Sequence, residues 1–194
     1  MNYQYIGKST PVNNSRAKAS GLLRYAGDMK LPNMLHMKLV LSPVSHGIVK
    51  AIDSSAALAM PGVAAVLSFE NTVDTKYNRG RVRISEDVMD QETLFSRHVR
   101  FVGDRVAAVL ADSPEIAAAA AEAIQLEIEE LPAVFTVKAA MREGAPQLHE
   151  DGNTVTLPEC GFGGRYADVQ GEEFIHRSQM QRVSHIAMET HCAV

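Results

Sequence analysis

The chain has 194 residues, of which 46% are hydrophobic and 22% are charged, the balance of a soluble globular protein. Its net charge of -4 gives no reason to expect nucleic acid or an anionic membrane as a partner. The polar N-terminus lacks the apolar core of a signal peptide, and no window approaches ~18 continuous apolar residues, so we expect no membrane span. The two cysteines, Cys160 and Cys192, are far apart in the sequence, which predicts a reduced, cytoplasmic chain without a disulfide.

The first seventy or so residues predict an extended lead-in followed by strands. Residues 1–20 are polar, with room for one helical turn at SRAKASG. Short apolar runs bounded by turn residues then predict three strands, at residues 34–42, 48–53 and 62–70. A short helix is predicted between the second and third strands, where Pro61-Gly62 ends it.

The middle of the chain predicts a surface excursion followed by two strands. Residues 71–97 are polar and poorly periodic, with a possible short strand at RVRI. HVRFVGDRVAAVLAD, residues 98–112, predicts a strand, a tight turn at Gly103-Asp104 and a strong strand.

The clearest predicted helix is SPEIAAAAAEAIQ. Ser113 is the expected N-cap, Pro114 stands at the first helical position, and Glu115 favours the positive end of the helix. We predict that its core face is formed by Ile116, Ala120, Ala123 and Ile124. A strand of period two, LEIEELP, and a short helix ended by Gly144 are predicted to follow.

A glycine beside this strand–helix–strand pattern raises the question of a nucleotide site. A dinucleotide fingerprint needs its glycines between strand and helix, so that phosphate meets the helix N-terminus. Gly103 lies before the strand instead, and Asp112 and Glu115 at the strand–helix junction would repel phosphate. We therefore predict a scaffold unit and no nucleotide site.

Four pieces of the sequence, in order, resemble the N-terminal segment of the molybdenum-binding subunit in the xanthine dehydrogenase and aldehyde oxidase family. The pieces are GLLRYAGDMKLPNMLHMKLVLSPVSHGIVKAID, SSAALAMPGVAAVLSFEN, HVRFVGDRVAAVLADSPEIAAAAAEAIQLEIEELPAV and VSHIAMETHCAV. The resemblance implies an α/β (α+β) fold, the α/β-hammerhead, with a mixed sheet and helices packed on it. It also implies three regions: a lead-in at 1–20, the hammerhead at 21–150, and at 151–194 a linker with the truncated start of the molybdopterin-binding domain.

In that family the parent enzyme hydroxylates aldehydes, purines, related N-heterocycles or carbon monoxide, with water as the oxygen source. The resemblance places molybdopterin in the rest of the molybdenum-binding subunit, and [2Fe-2S] and FAD in partner subunits or domains. The family's pterin loops and its catalytic glutamate lie beyond the matched segment. We therefore expect no catalytic, cofactor-binding or metal-binding residue in this chain, and an inactive fragment when it is isolated.

Several residues are candidates for a binding or metal site. His46, in the turn SPVSHG, could face a partner or a substrate channel, but a hydrogen bond to the backbone is the favoured interpretation. The densest cluster of candidate ligands comprises His185, Glu189, His191 and Cys192. On a strand its histidines would span roughly 20 Å, too far for one metal, so packing is favoured over a small metal-dependent hydrolase. CGFGG, residues 160–164, resembles a pterin loop only superficially, because that loop belongs much later in the family.

A second hypothesis is a stand-alone hammerhead module for binding or assembly, without an enzyme attached. The apolar end THCAV favours the fragment instead, since a complete domain is expected to end in solvated sequence. If the last strand lacks its partners, deletion of residues 170–194 should raise solubility.

Overall fold

The computed structural model describes residues 3–77, 92–150, 152–154, 170–172, 174–178, 180 and 193–194. The chain divides into two compact units, Met1–Pro32 with Val169–Val194, and Asn33–Asp168. The region boundaries predicted at residues 20 and 150 stay predictions. None of the helices in the described part is long and apolar enough to cross a membrane.

The unit made of Met1–Pro32 and Val169–Val194 has little regular structure in its described part. Its helix α1 covers Ser15–Ala19, which confirms the predicted helical turn, and a 3-10 turn follows at Ala26–Asp28. No described residue of this unit is buried. Local hydrogen bonds, rather than a core, therefore hold these turns.

The unit Asn33–Asp168 contains two three-stranded sheets. The first sheet has the order β1-β5-β3, with β1 at His36–Leu41, β3 at Val63–Ser68 and β5 at Arg105–Ala111. The second sheet has the order β4-β2-β6, with β2 at Gly47–Asp53, β4 at His98–Val99 and β6 at Gln125–Glu130. Every pairing between these strands is antiparallel.

Helices and antiparallel sheets in one unit agree with the predicted fold class. The strands form two antiparallel sheets, however, where a single mixed sheet was expected. The physical reason is that each connection carries the chain from one sheet to the other, so strands that follow each other in sequence never become neighbours. The predicted strand at RVRI lies outside the described residues.

The described residues of this unit form three helices: α2 at Ser55–Leu58, α3 at Pro114–Ala123 and α4 at Val137–Ala140. The predicted N-cap of α3 is confirmed, since the Ser113 hydroxyl accepts a hydrogen bond from the backbone N–H of Ile116 at 3.2 Å. Helix α3 buries Ala117 and Ala120, and Ala120 packs in one cluster with residues of the first sheet, where its small side chain lets helix and sheet approach closely.

The core face predicted for α3 is partly confirmed. Ala120 and Ile124 are buried, whereas Ile116 and Ala123 are only half-buried, and buried Ala117 was not predicted. Ile124 is the C-cap in extended conformation, so it reaches the core from beyond the last helical turn.

Strand β5 links two clusters of buried side chains because its alternate residues point to opposite faces of the first sheet. Ala107 and Val109 pack with α3 and its neighbours. Val106 packs instead with Val49 and Val99 of the second sheet. The centre of the core therefore lies around the middle of β5.

The predicted turn at Gly103-Asp104 is present, but the strands on its two sides do not pair. Gly103 has φ 91°, and the N–H of Asp104 donates to the carbonyl of Phe101 at 3.1 Å. The turn carries the chain from β4 in the second sheet to β5 in the first. In the same way β5, α3 and β6 do not form a parallel strand–helix–strand unit, because the two strands lie in different sheets.

Candidate functional site

His46 lies directly before β2, at the end of a tight turn that follows β1. The hydroxyl of Ser42 accepts a hydrogen bond from the N–H of Val44 at 3.1 Å, which folds the chain around Pro43. The Ser42 carbonyl also accepts from the N–H of Gly103 at 2.8 Å, so this turn is fastened to the turn between β4 and β5. The side chain of His46 is only 4% exposed.

Both ring nitrogens of His46 have partners. Nδ1 is 2.6 Å from the carbonyl oxygen of Pro132, and Nε2 is 2.8 Å from Nε2 of His98. Because a carbonyl only accepts, His46 Nδ1 carries the hydrogen. In the neutral pair His46 Nε2 is then the acceptor, and His98 Nε2–H donates to it.

The surroundings of His98 favour its neutral form. Burial lowers the pKa of His98 most, and the positive charges of Arg100, His46 and His149 lower it further, against an opposing contribution from Asp104. The Asp104 carboxylate is itself already hydrogen-bonded, since it accepts from the backbone N–H of Arg100 at 3.2 Å.

His98 and Arg100 both hold the chain that follows β6, here called the trailing segment (residues 131–150). Val99 between them is fully buried, so the two polar side chains share the opposite side of the strand. Arg100 Nε donates to the carbonyl of Leu148 at 2.6 Å. His98 acts through His46, which binds the Pro132 carbonyl. The trailing segment is therefore held near both of its ends.

Asp104 organises the turn between the two sheets. Its side chain, in a residue only 5% exposed, accepts hydrogen bonds from the Ser96 hydroxyl at 2.9 Å, the N–H of Arg105 at 2.9 Å and the N–H of Arg100 at 3.2 Å. Three donors around one buried carboxylate offset the loss of its hydration. The carboxylate thus fixes the chain direction between β4 and β5.

A second polar cluster closes the base of the excursion after β3. The guanidinium of Arg105 lies 2.7 Å from the hydroxyl of Tyr77 and 3.3 Å from the carboxylate of Glu92. Tyr77 and Glu92 also exchange two backbone hydrogen bonds. Arg105 therefore binds two points within the predicted excursion, residues 71–97, on either side of residues 78–91, which lie outside the described part of the chain.

The arrangement around His46 suits a structural role. The backbone hydrogen bond predicted for His46 is confirmed. His98, Arg100 and Asp104 were missed, although the spacing His98-Val99-Arg100 carries the signal: two polar residues flank a buried one in period two. Within the ranges described, no group of three or more His, Cys, Asp or Glu residues could hold a metal ion.

The other predicted positions lie outside the described residues. They are Cys160 with the stretch 160–164, His185, Glu189, His191 and Cys192. The expectations that they are packing residues, and that the chain supplies no catalytic or cofactor-binding residue, stay predictions.

Residues 20–132 match the family model described as "Aldehyde oxidase and xanthine dehydrogenase, a/b hammerhead domain". The matched range contains β1 to β6 and α3, and thus both sheets. It also contains His46, His98, Arg100 and Asp104, so the cluster around His46 is part of the matched domain.

Relatives and solved structures agree with this match. The chain is 32% identical over 161 residues to the nicotinate dehydrogenase large molybdopterin subunit of Eubacterium barkeri, covering 83% of this chain and 36% of that protein. It is 42% identical over 127 residues to the carbon monoxide dehydrogenase large chain of Hydrogenophaga pseudoflava, covering 66% and 15%. The aldehyde oxidoreductase structure from Desulfovibrio desulfuricans superposes with a TM-score of 0.68 at 30% identity, covering 75% and 17%.

The chain thus spans about a third, or less, of the length of these relatives. Sequence match, identity and fold agree over the two sheets and α3. The chain belongs to the aldehyde oxidase and xanthine dehydrogenase family, and residues 20–132 form its α/β-hammerhead domain.

Proposed function

We propose that this chain is the hammerhead scaffold of a molybdenum hydroxylase, an oxidoreductase that hydroxylates aldehydes or N-heterocycles with oxygen taken from water. The observation that carries the proposal is the family match over residues 20–132. Support comes from relatives whose names include a large molybdopterin subunit and a molybdenum-binding subunit. The substrate within this class is left open, because the relatives range from nicotinate dehydrogenase to carbon monoxide dehydrogenase.

In the part of the chain that the structure describes, no set of residues supports a cofactor site. Among the described residues no group of three His, Cys, Asp or Glu could hold a metal ion. The whole sequence has two cysteines, whereas a [2Fe-2S] cluster needs about four ligands. We therefore assign no step of the reaction to this chain. Molybdopterin is proposed for the rest of the molybdenum-binding subunit, and [2Fe-2S] and FAD for partner subunits or domains, in a cytoplasmic enzyme.

The proposed scaffold role is supported by the hydrogen bonds of two polar residues, one in the turn before β2 and one in the turn between β4 and β5. His46 and Asp104 are buried, and their hydrogen bonds go to backbone groups or to side chains of the same unit. Such groups fix the positions of strands and turns. Their contribution to a hydroxylase would be the correct placement of the segments that leave the two sheets.

The first test is an immunoblot of the source cell with antibody raised against this chain. A band far above 21.1 kDa, the mass of this chain, is expected. The immunopurified parent should contain molybdenum and reduce a dye with an aldehyde or an N-heterocycle as donor. A band at 21.1 kDa alone would favour the stand-alone binding or assembly module and contradict the proposal.

A second measurement distinguishes a scaffold chain from a catalytic one. The purified 194-residue chain should contain far less than one equivalent of molybdenum by elemental analysis, and it should show no hydroxylase turnover. Stoichiometric molybdenum in this material would overturn the scaffold assignment. The purified parent is the positive control for both assays.

A further inference from the structure

We propose that His46 and His98 form a proton-sensitive latch that holds the trailing segment against the second sheet and releases it as the pH falls. The inference concerns the hammerhead domain itself and does not depend on the proposed enzyme. It begins from one observation: two imidazole nitrogens face each other at 2.8 Å, and one of the two rings is also bound to the trailing segment.

The number of hydrogens on the two rings decides in which charge states the bond between His46 and His98 can form. His46 Nδ1–H donates to Pro132, so the bond between the rings needs one hydrogen shared by the two Nε2 atoms. A first added proton can be placed on Nδ1 of His98, and this bond survives with His98 Nε2–H still the donor. A second added proton would place hydrogens on both Nε2 atoms, 2.8 Å apart, and two positive charges beside each other. The doubly charged pair therefore cannot keep the bond.

The charged groups around the pair act mostly against protonation. Arg100 on the same strand and His149 on the trailing segment add positive charge near His98, while Asp104 opposes them and is itself bound by three donors. On β6 the nearest carboxylates, Glu129 and Glu130, are exposed, and Glu129 pairs with Lys50.

The sign of the pH effect follows from this arrangement. The pKa of His98 in the folded chain is lowered from 6.5, so at His98 the latched form binds fewer protons than an open form in which this ring is solvated. The latch is therefore complete above about pH 6.5 and weakens as the pH falls. Because His98 accounts for at most one proton, the equilibrium constant for opening rises by at most tenfold for each pH unit.

The latch acts on a defined piece of chain. The N–H of Leu131 donates to the carbonyl of His46 at 2.9 Å, so the backbone of His46 holds the start of the trailing segment while its ring holds Pro132. Its far end is held by Arg100, whose Nε donates to the carbonyl of Leu148 and does not take part in the bond between the two histidines. Opening should therefore begin at Leu131 and Pro132.

A metal bridge between the rings is a competing use of the pair. Two nitrogens bound tetrahedrally to one zinc ion at about 2.0–2.1 Å would be roughly 3.3 Å apart. The observed 2.8 Å fits a hydrogen bond instead.

The experiment is amide hydrogen exchange on the purified 194-residue chain between pH 7.5 and 5.0, with each rate divided by its intrinsic rate at that pH. The Leu131 amide reports on the latch, and the amide of Val109 in β5 reports on the core. Protection of Leu131 should fall below about pH 6.5, by at most about tenfold per pH unit, and by more than that of Val109, which should stay within threefold. Equal protection of Leu131 at both ends of the range, or a parallel fall at Val109, would overturn the latch.

Three variants separate titration from packing. His98→Gln keeps a side chain that can donate to or accept from His46 without taking up a proton, so Leu131 should stay protected at pH 5.5. His98→Leu removes the bond and should lower protection at every pH. The matched control is His36→Gln on β1, which should keep the wild-type pH dependence.

Two outcomes with these variants would reject the proposal. One is a His98→Gln chain that keeps the full pH dependence of the wild type. The other is one equivalent of zinc retained at pH 7.5 by the wild type and lost in His98→Gln, which would assign the pair to metal binding.

Discussion

Asp104 shows how far a single residue can be predicted from the sequence. The dipeptide Gly103-Asp104 predicts a tight turn by its own chemistry, and the turn is there, with φ 91° at the glycine. The carboxylate's three donors could not be predicted, because Ser96, Arg100 and Arg105 converge only when β4 and β5 enter different sheets. The same limit applies to His46, whose backbone bond was predicted and whose partner His98, 52 positions away, was not.

We expect Asp104→Ala to lower the free energy of unfolding by about 2–4 kcal/mol, because three donors lose their acceptor and at least part of the site stays buried. Asp104→Asn keeps one oxygen acceptor and should cost about half as much. Urea denaturation measures both values. The control is Asp74→Ala at an exposed position, expected within about 0.5 kcal/mol of the wild type. An equally small effect for Asp104→Ala would show that water replaces the carboxylate.

Helix α3 was predicted well because its signals are local. Ser113 caps it, Pro114 begins it, and a run of alanines continues it. The rotation of the helix on the sheet was predicted less well: Ala117 is buried where Ile116 was expected. One position corresponds to about 100° on a helix, and an alanine-rich segment has little apolar contrast to set its rotation.

Substitutions on α3 test this packing directly. Ala120→Leu inserts a larger side chain between helix and sheet at a fully buried position and should destabilise the chain by about 1–3 kcal/mol. Ala119→Leu makes the same chemical change at an exposed position one residue earlier and should be nearly neutral. Thermal unfolding of the two variants makes the comparison. Similar losses in both would mean that α3 is rotated relative to the described arrangement.

At the scale of the whole molecule, the fold was predicted by family resemblance and its individual elements by local pattern. The pairing of the strands was not. β1 pairs with β5 and β2 with β6, and no periodicity within a strand says which distant strand completes its sheet. The continuous apolar run of β5 gave a hint, since burial on both faces is typical of a central strand.

The two units differ in how much buried structure they contain, and this predicts the result of a truncation. Because no described residue among 3–32 is buried, removing Met1–Pro32 should delete no buried side chain of the described part. We expect the shortened chain to keep its free energy of unfolding within about 1 kcal/mol of the full chain. Limited proteolysis should likewise trim these residues first. A loss of several kcal/mol on truncation would contradict the prediction.

The alternation of the chain between two sheets has a consequence during synthesis on the ribosome. The native partner of both β1 and β3 is β5, and the native partners of β2 are β4 and β6. The first three strands therefore have no native partner among themselves as they emerge. At a synthesis rate of roughly 5–20 residues per second, the edges of these strands stay unpaired for several seconds before Ala111, the last residue of β5, completes the first sheet. Pairing over such long distances is slow, and open strand edges invite contact with other chains. The nascent domain is therefore most open to edge-to-edge association before β5 has been synthesised.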